Sequence, residues 1–242
     1  VDAVVHLAGE NIAAGRWNPE LKKRIVESRE KGTLLLSETL AELENRPEVF
    51  VSSSALGYYG DRGETQLTEE SEPGTGFLPE TCKVWEEATV PAQEAGIRVV
   101  IIRIGIVLAK EGGALQKMLL PFKLGLGGKI GSGRQYWSWV ALEDLVRIFH
   151  FSMTHTEISG PVNGTAPCPV TNQEFTRTLG KVLKRPTCLP VPAFAARLAL
   201  GEMADDLLLA SANVIPAKLE EHGFLFELLS LEDALQSILN GK

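Results

Sequence analysis

Val99–Leu108 reads VVIIRIGIVL, with Arg103 its one charged residue. A run this apolar and β-branched, without alternation, predicts a strand covered on both faces. That is the pattern of a parallel sheet beneath crossover helices. Two similar runs precede it, Val4–Ala8 and Val49–Ser53. Helical spacing separates them. Asn18-Pro19 supplies an N-cap and a first-turn proline. Leu21, Ile25, Leu34, Leu36, Leu40 and Leu43 follow at helical intervals, with a break expected near Gly32 and a stop before Pro47. A second helix is expected from Glu80 to Ala95, ended by Gly96. Strands alternating with helices define an α/β chain with a parallel sheet.

Beyond Leu108 the pattern changes. A helix over 114–126 contains Pro121 and should kink there. GLGGKIGSGRQYWSW (residues 125–139) is Gly-rich and reads as loop. Leu142–Met153 is helical, and Val162–Thr165 is a short strand. Thr171-Asn172-Gln173-Glu174 forms a capping box, and Ser230-Leu231-Glu232-Asp233 caps the last helix. The expected division is a sheet domain over 1–160 and a smaller cap or substrate region over 161–242.

The 242 residues are 44% hydrophobic and 23% charged, with net charge −7. That balance argues against nucleic acid or an anionic membrane as the main partner and leaves a local basic patch open. A small-molecule substrate is the better expectation. Three cysteines without a CxxC pair give neither a disulfide framework nor a structural zinc site. No metal is expected. No apolar run reaches membrane-span length and no secretory signal is present, so a cytoplasmic location is expected, with an organelle left open. The chain opens at Val1 inside an apolar run, and we expect its natural N-terminus to lie further upstream.

In open α/β sheets, ligands bind beyond the carboxyl ends of the strands. That rule selects Ala8-Gly9-Glu10-Asn11, Ser52-Ser53-Ser54 and Gly105-Ile106-Val107. Small residues at Ala8 and Gly9 let a flat ring approach the backbone, or simply make a tight exit turn. Glu10 either binds a ribose or caps that turn. Serine hydroxyls at Ser53 and Ser54 can polarise a carbonyl, or merely satisfy backbone groups. Lys83 either faces cofactor hydroxyls or lies on a solvated helix face.

VVHLAGEN, SREKGT, VSSSALGYYG, CKVWE, VVIIRIGIVL and the long LLPFKLGLGGKIGSGRQYWSWVALEDL block together resemble the atypical and extended short-chain dehydrogenase/reductases, in particular their epimerase-like branch with a cell-division-inhibitor-like label. The resemblance runs the length of the chain. It implies a Rossmann-type doubly wound sheet that binds NADP or NAD, with NADP preferred, and a C-terminal substrate region. It places Ala8 and Gly9 at the adenosine half of the cofactor, Ser53 or Ser54 together with Lys83 near the nicotinamide, and the Gly105, Ile106 and Val107 backbone beside the carboxamide. It places the 125–133 loop, Gln135, Trp137 and Trp139 around the substrate. It also implies homodimers packed as a four-helix bundle through helices 18–45 and 80–95.

Two positions depart from the family pattern. The catalytic tyrosine expected four residues before the lysine is replaced by Pro79, leaving Tyr58 or Tyr59 as the nearby phenol. An asparagine expected ahead of Gly32-Thr33 is replaced by Arg29, suited to a phosphate or carboxylate, or to an ion pair with Glu27 or Glu30. The glycine-rich pyrophosphate loop is absent from these residues, so at least one βαβ unit is expected before Val1. The leading expectation is an NAD(P)-dependent epimerase-like oxidoreductase acting on a hydroxyl or carbonyl, with a nucleotide sugar as one substrate class. Ser53 or Ser54 would polarise the oxygen, Lys83 would fix the ribose and Tyr59 would carry the proton. The alternatives are a nucleotide-sensing module without turnover and a homologue that binds nothing.

Overall fold

The computed structural model describes residues 1–241. Strand β1 (Ala3–His6) leads to helix α1 (Pro19–Glu42), whose first turn is closed by Asn18 Oδ1 accepting from the Leu21 N–H at 2.8 Å. Strand β2 (Val49–Ala55) follows, then a 3₁₀ turn (Leu56–Tyr59) and the short β3 (Gln66–Leu67). Helices α2 (Phe77–Glu87) and α3 (Val90–Glu94) precede β4 (Arg98–Ile104) and β5 (Ile106–Leu108). Next come α4 (Gly113–Lys123), β6 (Tyr136–Trp137), β7 (Trp139–Ala141), α5 (Leu142–Thr154) and β8 (Gly160–Gly164). The chain ends with β9 (Val170–Thr171), α6 (Asn172–Leu183), α7 (Ala193–Leu200), β10 (Asn213–Val214), α8 (Ala217–Glu221) and α9 (Leu231–Asn240).

The central sheet is parallel in the order β1-β2-β4-β8. Alternation along β2 sends Phe50 to one face, where it packs with Leu40, Ala92, Ile97 and Val99. Val49 and Val51 point to the other face, against Ile102, Ile148 and Val162. Each buried aliphatic side chain contributes roughly 1.5–3 kcal/mol, so helices on both faces follow from strands that are apolar on both faces. A second core, containing Leu108, Trp139, Phe175, Leu179 and Leu235, joins β5 and β7 to α4, α6 and α9.

Several expectations need correction. Gly32 does not break α1, which runs on through it. The helix expected over 80–95 is two helices, because Pro91 sits in the first turn of α3 and the backbone is redirected at Ala88-Thr89. Val99–Leu108 is not one strand. It divides at Gly105, where a Cβ would lie 2.7 Å from the Ser138 carbonyl oxygen. β4 stays in the central sheet, while β5 leaves it to pair with β7. The expected boundary after residue 160 falls inside β8, which pairs with β4, so the sheet extends to Gly164. The two capping boxes stand: Thr171 and Glu174 are reciprocally bonded, and Ser230 Oγ accepts from the Asp233 N–H at 3.1 Å. Among the described residues no helix is long and apolar enough to cross a membrane.

Candidate functional site

The carboxyl ends of β2 and β4 open into a crevice of about 560 Å³. Its floor is Ala55, Leu56 and Gly57 from the end of β2, with Ile104, Gly105 and Ile106 from the β4–β5 junction. One wall is the face of α2 bearing Leu78, Cys82 and Trp85, with Ile25 and Arg29 of α1 beside it. The opposite wall comes from Tyr136, Trp137, Ser138 and a π-type turn at Asp205–Leu209. Gly57 packs closely under α2: a Cβ there would lie 3.1 Å from that of Leu78.

Arg29 is the cation of the α1 wall. Its guanidinium donates from Nη1 to the carbonyls of Glu10 and Ile25, each at 3.1 Å, and lies 4.8 Å from the Trp85 ring centroid. Burial pushes its pKa down from the usual arginine value, partly offset by nearby Glu10, yet a guanidinium keeps its proton at any physiological pH. Trp85 Nε1 is buried and finds no hydrogen-bond partner among the described residues. Cys82 Sγ donates to the Ala55 carbonyl at 3.6 Å, and burial pushes its thiol up to about 12. It is therefore a thiol and not a thiolate near neutral pH. Asp61 accepts the backbone N–H groups of Gly63 and Ser211, and Asp205 is paired with Arg197 at 2.8 Å. Tyr136 and Asp206 line the crevice, and neither the Tyr136 hydroxyl nor the Asp206 carboxylate has a hydrogen-bond partner among the described residues. Burial, then the nearby Glu202, raises the Asp206 pKa.

The structure brings together only part of the expected site. Arg29, Gly105 and Ile106 line the crevice, as does Trp137. Val107 instead pairs with Val140. Ala8 and Gly9 are exposed at the end of β1, outside the crevice lining, with Gly9 packed beside the Arg29 guanidinium. The Glu10 backbone N–H donates to Ser28 Oγ at 2.9 Å, and its carboxylate lies 3.7 Å from Arg24. Gln135 donates to the carbonyls of Ile130 and Leu208, steadying the π-type turn, while Trp139 is fully buried in the second core.

The four residues expected to do chemistry do not face this space. Ser54 Oγ donates to Glu86 Oε1 at 2.6 Å, beneath the crevice floor. Ser53 points to the other face of the sheet, buried, its hydroxyl unpartnered among the described residues. Tyr59 is fully buried. Its hydroxyl donates to Asn163 Oδ1 at 2.7 Å and accepts from Arg103 Nη1 at 3.0 Å. Burial raises its pKa to about 12. Lys83 points outward and pairs with Glu80 at 3.2 Å, with 38% of its side chain exposed. Successive helical residues are turned by about 100°. The α2 face that meets the crevice carries Leu78, Pro79, Thr81, Cys82 and Trp85, so the position of the missing phenol borders the crevice and Lys83 does not. Leu78, Cys82 and Trp85 form an i, i+4, i+7 stripe, and that periodicity was the sequence signal for this wall.

A parallel sheet with helices on both faces, opening into a crevice at its carboxyl edge, defines a Rossmann-type scaffold. The model of the NAD dependent epimerase/dehydratase family matches residues 1–163, and a domain of unknown function, DUF1731, matches residues 191–238. An epimerase family protein of Mycobacterium leprae is 47% identical over 235 residues, covering 97% of this chain and 76% of the relative. The human epimerase family protein SDR39U1 (isoform 2), crystallised with NADPH, superposes with a TM-score of 0.95 at 33% identity, covering 100% of this chain and 83% of that one. A nucleoside-diphosphate sugar epimerase from Corynebacterium glutamicum gives a TM-score of 0.81 at 38% identity, covering 100% of this chain and 46% of that one. The chain belongs to the NAD dependent epimerase/dehydratase family.

Proposed function

We propose that this chain binds NADP(H), or less favourably NAD(H), with the nicotinamide half in the crevice, and acts as an oxidoreductase or epimerase on a hydroxyl or carbonyl compound such as a nucleotide sugar. The observation that carries this reading is the crevice itself. It lies at the carboxyl edge of the sheet, and the unpartnered indole N–H of Trp85 is buried in its wall beside the Arg29 guanidinium. A flat ring with a polar edge and an anionic neighbour fits such walls. The human relative crystallised with NADPH supports the choice of cofactor. The sugar class is supported by the Corynebacterium relative.

In this reading Arg29 holds a ribose or phosphate oxygen, and the Gly105-Ile106 backbone lies close against the ring. The bound nicotinamide supplies a hydride acceptor or donor. The chain must then hold or move one proton at the substrate oxygen. Cys82 is held protonated, Asp61 is occupied by backbone N–H groups, and Asp205 is paired. The Tyr136 hydroxyl and the Asp206 carboxyl remain for that task. Fluorescence titration with NADPH, followed by nicotinamide absorbance during incubation with nucleotide sugars and small carbonyls, tests the proposal. Saturable binding with turnover on one of them supports it; no binding ends it.

One observation favours a second reading, a nucleotide sensor without turnover. Pro79, which stands where the family pattern puts its tyrosine, borders the crevice, and Lys83 is turned away to Glu80. Tight NADPH binding with no turnover across the panel would select the sensor.

A further inference from the structure

Charge is segregated in this acidic chain. Residues 112–142 and 175–201 contain nine Lys or Arg and no Asp or Glu, although the chain as a whole holds 24 basic and 31 acidic residues. The fold brings these two segments together. Arg185 Nε donates to the Lys123 carbonyl at 2.9 Å, the Leu189 N–H to the Gly127 carbonyl at 3.4 Å, and the Val191 N–H to the Lys129 carbonyl at 2.8 Å. The end of α4 and its following loop thus run alongside the segment that enters α7.

The same region exposes its largest apolar side chains. Leu120, Leu124, Leu126, Leu189, Phe194 and Leu198 are each 51–77% exposed. Leu120 on α4 and Leu124, the residue that caps it, lie one turn apart, as do Phe194 and Leu198 on α7. Beside Leu189 lies a hollow of about 360 Å³, walled by Lys129, Arg177, Thr176 and Thr187, with Cys188 and Pro190 at its edge. It presents two cations and two hydroxyls and no carboxylate. Lys117, Lys123, Arg177 and Lys184 have no ion-pair partner among the described residues.

We infer that this basic and apolar face docks on an anionic phospholipid surface, with the leucines and Phe194 entering the headgroup–acyl boundary and the Lys129–Arg177 hollow receiving a phosphate headgroup. Exposed apolar side chains interleaved with unpaired cations are the pattern of interfacial binding. Anionic lipids attract cations close to the surface, and burial of apolar side chains adds affinity that salt does not screen. A two-fold dimer through the same face would set its cations against one another. Acidic residues elsewhere explain why the net charge hides this face.

Vesicle cosedimentation of the full chain tests the inference. Vesicles of phosphatidylcholine doped with phosphatidylglycerol should pellet the protein, and vesicles of phosphatidylcholine alone should leave it in solution. Arg177→Gln and Lys184→Gln should each weaken binding about fivefold, the loss expected for one cation near a charged surface. Phe194→Ser with Leu198→Ser should release the protein, whereas Leu35→Ser, an equally exposed change on α1, should not. A thermal melt and NADPH titration of each variant confirm that it remains folded. Equal partitioning onto the two vesicle types would overturn the inference. So would retention by the Phe194→Ser/Leu198→Ser variant, or a concentration-dependent dimer that this variant abolishes, which would assign the face to a second copy.

Discussion

Glu86 on α2 accepts from both Nε and Nη2 of Arg103 on β4, at 2.9 and 2.8 Å, and also accepts the Ser54 hydroxyl at 2.6 Å. The two side chains are 12% and 4% exposed. The pair ties α2, the wall of the crevice, to the central sheet, and Arg103 stacks 3.5 Å from the Tyr58 ring centroid. Removing one member leaves the other charge buried and unpaired. Glu86→Ala and Arg103→Ala should each lower stability by about 3–5 kcal/mol. The double variant should cost less than the two single losses together, because neither charge is then stranded. Urea unfolding of the four proteins measures this, and a loss under about 1 kcal/mol for Glu86→Ala would show the pair to be a solvated surface bridge instead.

Tyr59 and Tyr136 make opposite predictions. Tyr59→Phe removes a buried hydroxyl from between Asn163 and Arg103. It should cost about 1–3 kcal/mol of stability while leaving NADPH affinity and any turnover unchanged. Tyr136→Phe should leave stability nearly unchanged and, if Tyr136 carries the proton, reduce turnover by about 10²–10⁴. Loss of turnover in Tyr59→Phe with Tyr136→Phe fully active would reverse the assignment.

The same buried groups set a pH dependence. Burial holds Tyr59 and Cys82 neutral up to about 12, against ordinary values of 10.0 and 9.0. Between those limits the unfolded chain has released protons that the folded chain retains. Stability must therefore fall as pH rises from about 9 toward 12, with neither group adding a slope below that window. Urea midpoints measured across this range should decline, and Cys82→Ser and Tyr59→Phe should each flatten the decline. A midpoint unchanged up to the upper end would mean that both groups ionise freely in the folded state.

What was readable in the sequence follows from what each pattern averages over. Val49–Val51 and Val99–Ile102 reveal themselves because a strand covered on both faces needs apolar residues at successive positions. The crevice at the ends of β2 and β4 followed from the general geometry of parallel sheets. Side-chain direction was harder. Of the two α2 positions singled out, Pro79 borders the crevice, while Lys83, four residues on, is turned to Glu80. Adjacent strand residues face opposite sides, which is why Ser53 and Ser54 are alternatives for one role, and neither borders the crevice. Asp206 and the charge-segregated face went unnoticed because their meaning depends on contacts between distant segments.

Arg29 provides the sharpest test of where the cofactor lies. Its guanidinium spans the Glu10 and Ile25 carbonyls and covers the Trp85 ring, so it is pre-placed at the crevice wall before any ligand arrives. A charge-assisted hydrogen bond contributes about 1.5–3 kcal/mol, so Arg29→Ala should weaken NADPH binding by about 10- to 100-fold. Arg29→Lys keeps the charge but lacks the planar guanidinium that lies over the indole while Nη1 bonds both carbonyls, so it should recover little of the loss. Both variants should melt near the parent temperature, since the side chain is only partly buried and β1 and α1 are anchored elsewhere. Fluorescence titration across the three proteins distinguishes the outcomes. Parent affinity in Arg29→Ala would move the nicotinamide half out of this crevice, and full rescue by lysine would reduce Arg29 to a point charge without a positioning role.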